Sequence, residues 1–513
     1  MRTATVSRYA LSITLAAFLP GCGGGSSPGL GNLALLAHHR SGPSPITHVV
    51  MIVQENRSYE NLFATFPNQS GQVYGYEKVK KGGKWVSEKV VLKEQHLIPA
   101  PDVDIGHCYY AFVQAYDKGK MDGFNEEPHG VCERSWTRGT AAGLYPYMYV
   151  YPSDIAPYWD MAEQYVLADR MFQTQGSSSF TAHQDLIRGG SALSGTYGSA
   201  SSLIDTPTQA PWGCDSPTVS RTDLISLSGK WSEDNGPYPC TTDFPNYSGS
   251  SNYQTLADLL DAASISWKYY SPCYKDYFQS SSCPAYEKSL TLAAGGTLNA
   301  FDVIASVRNG PEWGTNVSMP ETNIFNDISA GNLAAVSWVV PEDCNSDHLG
   351  ETNPLTTGHK ACDNGPEWVA SVVNAIGESP FWNTTAIVIL WDDWGGLYDG
   401  AEPPTPGGGT GHQRDDQGGL GLRVPMLVVS PYAKIGTGSQ GGYIDGTSYE
   451  FGSILKYIEN NFDLPSLNTT DKRATSIIDA FDYNQQPRSF SAIPSKLDAH
   501  YFITHQLPSV GDY

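Results

Sequence analysis

Apolar residues in this chain come in short unbroken runs. Val49-Val50-Met51-Ile52-Val53, Ala335 to Val340, Ala386-Ile387-Val388-Ile389-Leu390 and Met426-Leu427-Val428-Val429 are the clearest. Continuous runs of this length, rich in β-branched residues, predict strands covered on both faces. Helical spacing recurs between and after them, in Thr255 to Ala262, Trp368 to Ile376 and Ser453 to Glu459. The alternation predicts an α/β/α sandwich around a mainly parallel central sheet. From about 190 to 250 the pattern gives way to Ser, Thr, Gly, Pro and Asn. That stretch reads as a long insertion or cap outside the core sheet. The Pro- and Gly-rich stretch at 400–420 reads as a mobile loop near the site.

The first residues follow a different logic. Arg2 and Arg8 precede an apolar run from Ala10 to Leu19, too short to span a bilayer, which reads as an export signal. It ends Leu19-Pro20-Gly21-Cys22, similar to a bacterial lipoprotein cleavage box. The expected organisation is a signal peptide at 1–21, a Gly-rich tether at 22–44 and a folded domain at 45–513. Cys22 would carry a lipid and hold the exported chain on the cell-envelope membrane; with an ordinary signal peptide the product is periplasmic or secreted.

Charge and cysteines narrow the picture. A net charge of −22 excludes nucleic acid as a partner, which needs a basic footprint. Beyond Cys22 remain Cys108, Cys132, Cys214, Cys240, Cys273, Cys283, Cys344 and Cys362, an even set that favours disulfides in an exported protein. Neighbouring pairs, 108–132, 214–240, 273–283 and 344–362, are the plausible ones, although spacing leaves connectivity open. No C-x2-C pair suggests a metal site.

Candidate chemistry sits directly after buried runs. The first runs into Gln54-Glu55-Asn56-Arg57-Ser58, and a later one into Trp391-Asp392-Asp393-Trp394-Gly395-Gly396. Ligands of open α/β sheets bind at the carboxyl ends of strands. Glu55, Asn56, Asp392 and Asp393 would therefore form an oxygen-rich, anionic site suited to a divalent cation. Taken singly, Glu55 would serve as a helix cap and Asp392-Asp393 as the opening of a turn.

These residues also carry a family resemblance. Ile46 to Phe63, around Gln54-Glu55-Asn56-Arg57-Ser58-Tyr59, resembles the opening motif of the bacterial phospholipase C and acid phosphatase phosphoesterases. Gly119-Lys120-Met121-Asp122-Gly123-Phe124, Asp392 to Asp399, and Leu422-Arg423-Val424-Pro425 with Ser430-Pro431 are similar to further blocks, within a resemblance covering roughly 45–465. It implies an alkaline-phosphatase-like fold and phosphoester hydrolysis through a covalent intermediate on a hydroxyl. The implied nucleophile lies four residues before a basic residue. In Gly176-Ser177-Ser178-Ser179-Phe180-Thr181-Ala182-His183 that selects Ser179, with Ser178 and Thr181 as alternatives. Ser179 would complete the shell of a calcium, magnesium, manganese or zinc ion with Glu55, Asn56, Asp392 and Asp393.

The resemblance further implies active-site roles for His107 and His348, holding phosphate oxygens or protonating the leaving group. His183 would contact phosphate; His359 and His412 have weaker claims. Gly400 stands where Tyr-Asp-His is usual, and Phe451 where some members have histidine. The substrate would be a phosphomonoester or a phospholipid. A serine-hydrolase elbow G-x-S-x-G and a zinc-protease H-E-x-x-H are both absent. A non-catalytic surface lipoprotein that uses the insertion to bind a partner is the competing reading.

Overall fold

A computed structural model describes residues 44–98, 104–129, 141–193, 202–208, 212–240, 253–273, 299–353, 355–357, 360–406 and 418–509. Its frame is an eight-stranded sheet. In chain order the strands are β1 (His48–Gln54), β2 (Val166–Ala168), β3 (Trp267–Tyr270), β4 (Val317–Ser318), β5 (Val336–Val339), β6 (Thr385–Trp391), β7 (Met426–Val429) and β8 (Tyr443–Asp445). Across the sheet the order is β4-β3-β5-β1-β6-β7-β2-β8. Every neighbouring pair is parallel except β6 with β7 and β7 with β2. The four apolar runs are β1, β5, β6 and β7; none of the other four strands holds an unbroken apolar run of four residues.

β6 is buried at every residue, and β1 at all but His48. Successive strand side chains point to opposite faces, so such burial requires cover on both. The named helices are α1 (Tyr59–Phe63), α2 (Tyr109–Tyr116), α3 (Ala156–Gln164), α4 (Ser179–Arg188), α5 (Leu256–Ala262), α6 (Gly365–Gly377) and α7 (Phe451–Phe462). One group packs around α3 and α6, another around α4, α5 and α7. Each buried Val, Ile or Leu of the central strands contributes about 1.5–3 kcal/mol. The described residues, from Ser44 on, form one compact unit.

Register decides what meets at the carboxyl edge. Gln54 pairs with Trp391 and Ile52 with Val339, so β5, β1 and β6 end side by side. Glu55 and Asn56 therefore leave the sheet next to Asp392 and Asp393. The Glu55 N–H donates to Ser346 O at 2.7 Å, which ties in the loop after β5.

The insertion forms its own antiparallel sheet, Ser202–Pro207, Thr222–Ser226 and Trp231–Ser232, apart from the main one. It reaches back to the chain before α4. Asp205 accepts hydrogen bonds from Ser177 Oγ and, at 3.3 Å, from the Tyr109 N–H. Disulfides join Cys214 to Cys240 and Cys344 to Cys362. Cys108 and Cys273 are also disulfide-bonded, while Cys132 and Cys283 lie outside the described residues. So do residues 1–43, where the sequence leads one to expect a signal peptide and most of a tether, and 407–417 of the Pro- and Gly-rich stretch. Among the described residues no helix is long and apolar enough to cross a membrane.

A buried ion cluster locks the exits of β1 and β6 together. Arg423, just before β7, donates through Nε to both carboxylate oxygens of Asp399 at 3.0 and 3.1 Å. Its NH2 lies 3.5 Å from Glu60, and its guanidinium stacks over Tyr59 at 4.3 Å. Asp399 also accepts from the Glu60 N–H, and Ser58 Oγ donates to Tyr398 O at 2.7 Å. Burial, and then the Asp399 charge, push Glu60 up to about 8 against the pull of Arg423.

Removing the guanidinium leaves two buried carboxyls without their cation. Arg423→Ala should cost about 3–5 kcal/mol in urea unfolding; a loss below about 1 kcal/mol would show that the cluster does not hold the loops. Asp205 makes a pH test. Burial raises it to about 6, against the opposing hydrogen bonds from Ser177 and Tyr109. A raised carboxyl pKa adds stability that is fully present below the unfolded value and is lost as pH rises through about 6. Asp205→Asn abolishes that titration. From about pH 4 to about pH 7 its unfolding free energy should therefore gain on the parent's by up to about 3 kcal/mol. A constant difference across that range would exclude the shift.

Candidate active site

The site is built where the loops after β1 and β6 meet the first turn of α4. Asn56 follows β1 with φ 57°, a left-handed conformation that asparagine tolerates better than most residues. Its N–H donates to Asp392 Oδ1 at 3.1 Å, and the Asp393 N–H donates to the same oxygen at 2.7 Å. The Asp392 N–H in turn bonds Gln54 O at 3.0 Å, extending the β1–β6 ladder. Gly395 completes the turn at φ 58°, and a Cβ there would stand 2.3 Å from Asn56 O. The close approach of the two loops therefore requires glycine.

Ser179 is the first residue of α4 and is fully buried. Its Oγ donates to Asp393 Oδ2 at 3.1 Å and to Asn56 Oδ1 at 3.3 Å. The neighbouring hydroxyls turn toward the insertion. Ser178 Oγ lies 2.7 Å from Thr206 Oγ1, and Thr181 Oγ1 donates to Asp205 O. Of the three candidates, Ser179 is the one hydrogen-bonded to the strand-end residues. It also stands at the positive end of a ten-residue helix, where N–H groups favour an anion.

The imidazoles lie around this centre. His183, one turn along the same face of α4, has Nε2 3.6 Å from Asp392 Oδ2 and Nδ1 3.4 Å from Tyr269 Oη. His107 Nδ1 is 2.7 Å from Ile105 O; this fixes that nitrogen as the donor, because a carbonyl only accepts. Its Nε2 is then free to accept from Asn56 Nδ2 at 3.2 Å, and lies 3.9 Å from Asp393 Oδ2. The His348 ring is 5.9 Å from that of His107, and its Nδ1 is 3.1 Å from Glu351 Oε1. The Cys344–Cys362 disulfide pins the loop that carries His348.

All eight residues singled out in the sequence thus sit at one sheet edge. Asn56, Ser179, His107, His183, Asp392 and Asp393 are linked by the contacts above. Glu55 is buried beside them, and its charge, like that of Asp392, raises the pKa of the Tyr269 phenol, which burial has already pushed well up against the Ala300 N–H bond. His359 and His412 lie outside the described residues. Phe451 is buried at the start of α7, and the Gly400 N–H bonds Glu60.

Among the described residues no group of three or more His, Cys, Asp and Glu side chains is arranged to hold a metal ion. The donor set foreseen in the sequence also uses the Asn56 amide and the Ser179 hydroxyl. Those are the oxygens placed against Asp393. Among the described residues Asp392 Oδ2, fully buried, has no hydrogen bond, and it lies 3.6 Å from His183 Nε2. Adjacent buried carboxylates repel, so an all-oxygen set of this kind fits a hard divalent cation.

Some of the architecture has no signature in sequence. Tyr269 arrives from β3, whose sequence is interrupted by Lys268 and shows no continuous apolar run. Asp347, beside His348, accepts from Tyr158 Oη at 2.7 Å and Trp391 Nε1 at 2.8 Å. Burial raises it to about 6 against the pull of Arg57, which itself donates to Asp347 O at 2.6 Å. This network holds the His348 loop to the end of β6. Glu127, buried behind the site, accepts from Trp394 Nε1 at 3.0 Å. Asp122 of the second motif lies outside the centre, near Asp117 and Ser87.

Comparison with known proteins adds the family. The chain is 23% identical to a non-hemolytic phospholipase C of Pseudomonas aeruginosa, over 93% of this chain and 63% of that protein. It is 24% identical to one of Burkholderia pseudomallei, over 90% of this chain and 63% of that protein. It therefore spans less than two thirds of the length of these relatives. A solved structure of an alkaline phosphatase superfamily protein from Vibrio parahaemolyticus aligns at 10% identity and a TM-score of 0.30, covering 76% of this chain and 77% of that one. The model of the Phosphoesterase family matches residues 46–465, and the chain belongs to that family.

Proposed function

We propose that this protein hydrolyses phosphoesters, with Ser179 as the attacking group. The observation that carries this reading is the Ser179 hydroxyl, held at 3.1 Å from Asp393 Oδ2 and 3.3 Å from Asn56 Oδ1 at the N-terminus of α4. Glu55, Asn56, Asp392, Asp393 and Ser179 would hold a divalent cation. When bound, it supplies the positive charge that makes a serine hydroxyl a competent nucleophile and offsets charge on the phosphoryl group.

Asp393 accepts the Ser179 proton as Oγ attacks phosphorus in line. The Oγ–P bond forms as the ester P–O bond breaks, and the departing alkoxide takes a proton from His348, whose protonated ring is held 3.1 Å from Glu351. Water then attacks phosphorus, giving a proton to the histidine that protonated the alkoxide; the Oγ–P bond breaks and Ser179 regains its proton from Asp393. His183 and the first N–H groups of α4 orient the phosphoryl oxygens, positive charge placed before the reaction starts.

The substrate reading favours phospholipid, because both relatives above are named phospholipase C. Cys22, acylated after export, would hold the chain on the envelope membrane. Labelled palmitate incorporated by the parent and not by Cys22→Ala would support this; equal labelling would exclude it.

Ser179→Ala should lower hydrolysis of p-nitrophenyl phosphate and of phosphatidylcholine by about three orders of magnitude or more, with unchanged thermal unfolding. A chelator should abolish parent activity, and calcium, magnesium, manganese or zinc should restore it. Undiminished turnover in Ser179→Ala would overturn the assignment. A folded parent inert on both substrates in the presence of all four cations would favour the non-catalytic reading.

A further inference from the structure

A surface outside the site has a chemistry of its own. Tyr74–Lys81 and Lys84–Val91 form an antiparallel hairpin closed by a two-residue turn at Gly82 and Gly83, both at positive φ. Its register pairs Tyr74 with Val91, Tyr76 with Lys89, Lys78 with Ser87 and Lys80 with Trp85. Directly paired residues share a face. One face therefore carries Tyr74, Tyr76, Trp85, Val91, Lys80 and Lys89 and no acid. Both hairpin glutamates, Glu77 and Glu88, pair with each other on the opposite face.

The acid-free face is open. Trp85 is 54% exposed, Val91 68% and Tyr76 42%. Lys80 lies over the Trp85 ring at 5.8 Å and Lys89 over Tyr74 at 3.4 Å. The acids that reach this face come from its border: Asp117, 3.1 Å from Lys78, and Asp122, bonded to Ser87. Lys120 flanks them, paired with Asp117 at 2.9 Å. On a chain of net charge −22, this is a local cationic and aromatic surface.

The other face is the root. Val90 packs on the second core cluster, and Gly75 lies so close to Tyr398 that a Cβ would stand 2.3 Å from the ring. Tyr398 belongs to the loop that begins with Asp392 and Asp393. The hairpin is thus fastened to the loop that carries Asp392 and Asp393.

We propose that this hairpin face docks on an anionic lipid surface. Lysines among Trp and Tyr match the headgroup region, where amphipathic rings settle and each cation near the surface adds attraction. The face is a two-stranded surface of lysine and aromatic side chains, which suits a fluid sheet of charge. Screening within about 8 Å in physiological salt lets such a patch act against the sign of the whole molecule. This holds whether or not the candidate site is catalytic.

The test uses the full chain with Cys22→Ala, so that no acyl group can be added there, and Ser179→Ala, so that lipid is not consumed. It should co-sediment with phosphatidylcholine vesicles containing phosphatidylglycerol, and far less with phosphatidylcholine alone. Adding Lys80→Glu and Lys89→Glu should weaken binding at least about tenfold; adding Trp85→Ala alone should weaken it several-fold. Thermal unfolding of all variants should match the parent's. Equal sedimentation of parent and variants, no preference for the anionic vesicles, or no binding by the parent would overturn the proposal. A parent that self-associates through this face and ignores vesicles would also overturn it, in favour of a second copy as occupant.

Discussion

Parallel pairing of β1 with β6, in the register that sets Gln54 opposite Trp391, is the constraint on which the rest depends. Strands run about 3.3 Å per residue, and a shift of one position would turn every side chain of β1 to the other face. Burial on both faces forbids that slip. The ladder then continues past the strands, through the Asp392 N–H to Gln54 O and the Asn56 N–H to Asp392 Oδ1. The polar loops inherit their geometry from the apolar core.

Ser179 reaches those loops from a different element. It opens α4, whose N-terminal approach is held by Ser177 and Thr181 to Asp205 of the inserted sheet. The insertion therefore matters to the site although it contributes no candidate catalytic group. The Arg423, Asp399 and Glu60 cluster works similarly from the other side, binding the loops after β1 and β6 to each other. Buried charges are expensive unless paired, so such a cluster forms in one arrangement and tolerates little play. That rigidity keeps the Ser179 hydroxyl within hydrogen-bond reach of two oxygens contributed by separate strands.

The site and the hairpin surface share an anchor. Tyr398 ends the run from Asp392 and receives Gly75 of the hairpin on its ring. A surface suited to anionic headgroups would then sit on the same loop as the groups proposed to act on a phosphoester. Close packing of this kind would relate membrane attachment to substrate presentation through a fixed contact.

Apolar runs and the residues directly after them were legible in the sequence. β1, β5, β6 and β7, and with them the positions of Glu55, Asn56, Asp392 and Asp393, follow from periodicity and from where polar residues interrupt it. Helices α5, α6 and α7 also appear within a few residues of their expected bounds. The other four strands did not stand out, because none holds an unbroken apolar run of four residues; β3, interrupted by Lys268, and its Tyr269 are the loss that touches the site. Counting four residues back from His183 selects Ser179, but spacing leaves Ser178 and Thr181, within one turn of chain, as alternatives. That choice depends on which hydroxyl faces the strand ends and which faces Asp205, a matter of how an inserted sheet packs on a helix. Local composition determined which groups could take part; long-range pairing decided which of them meet.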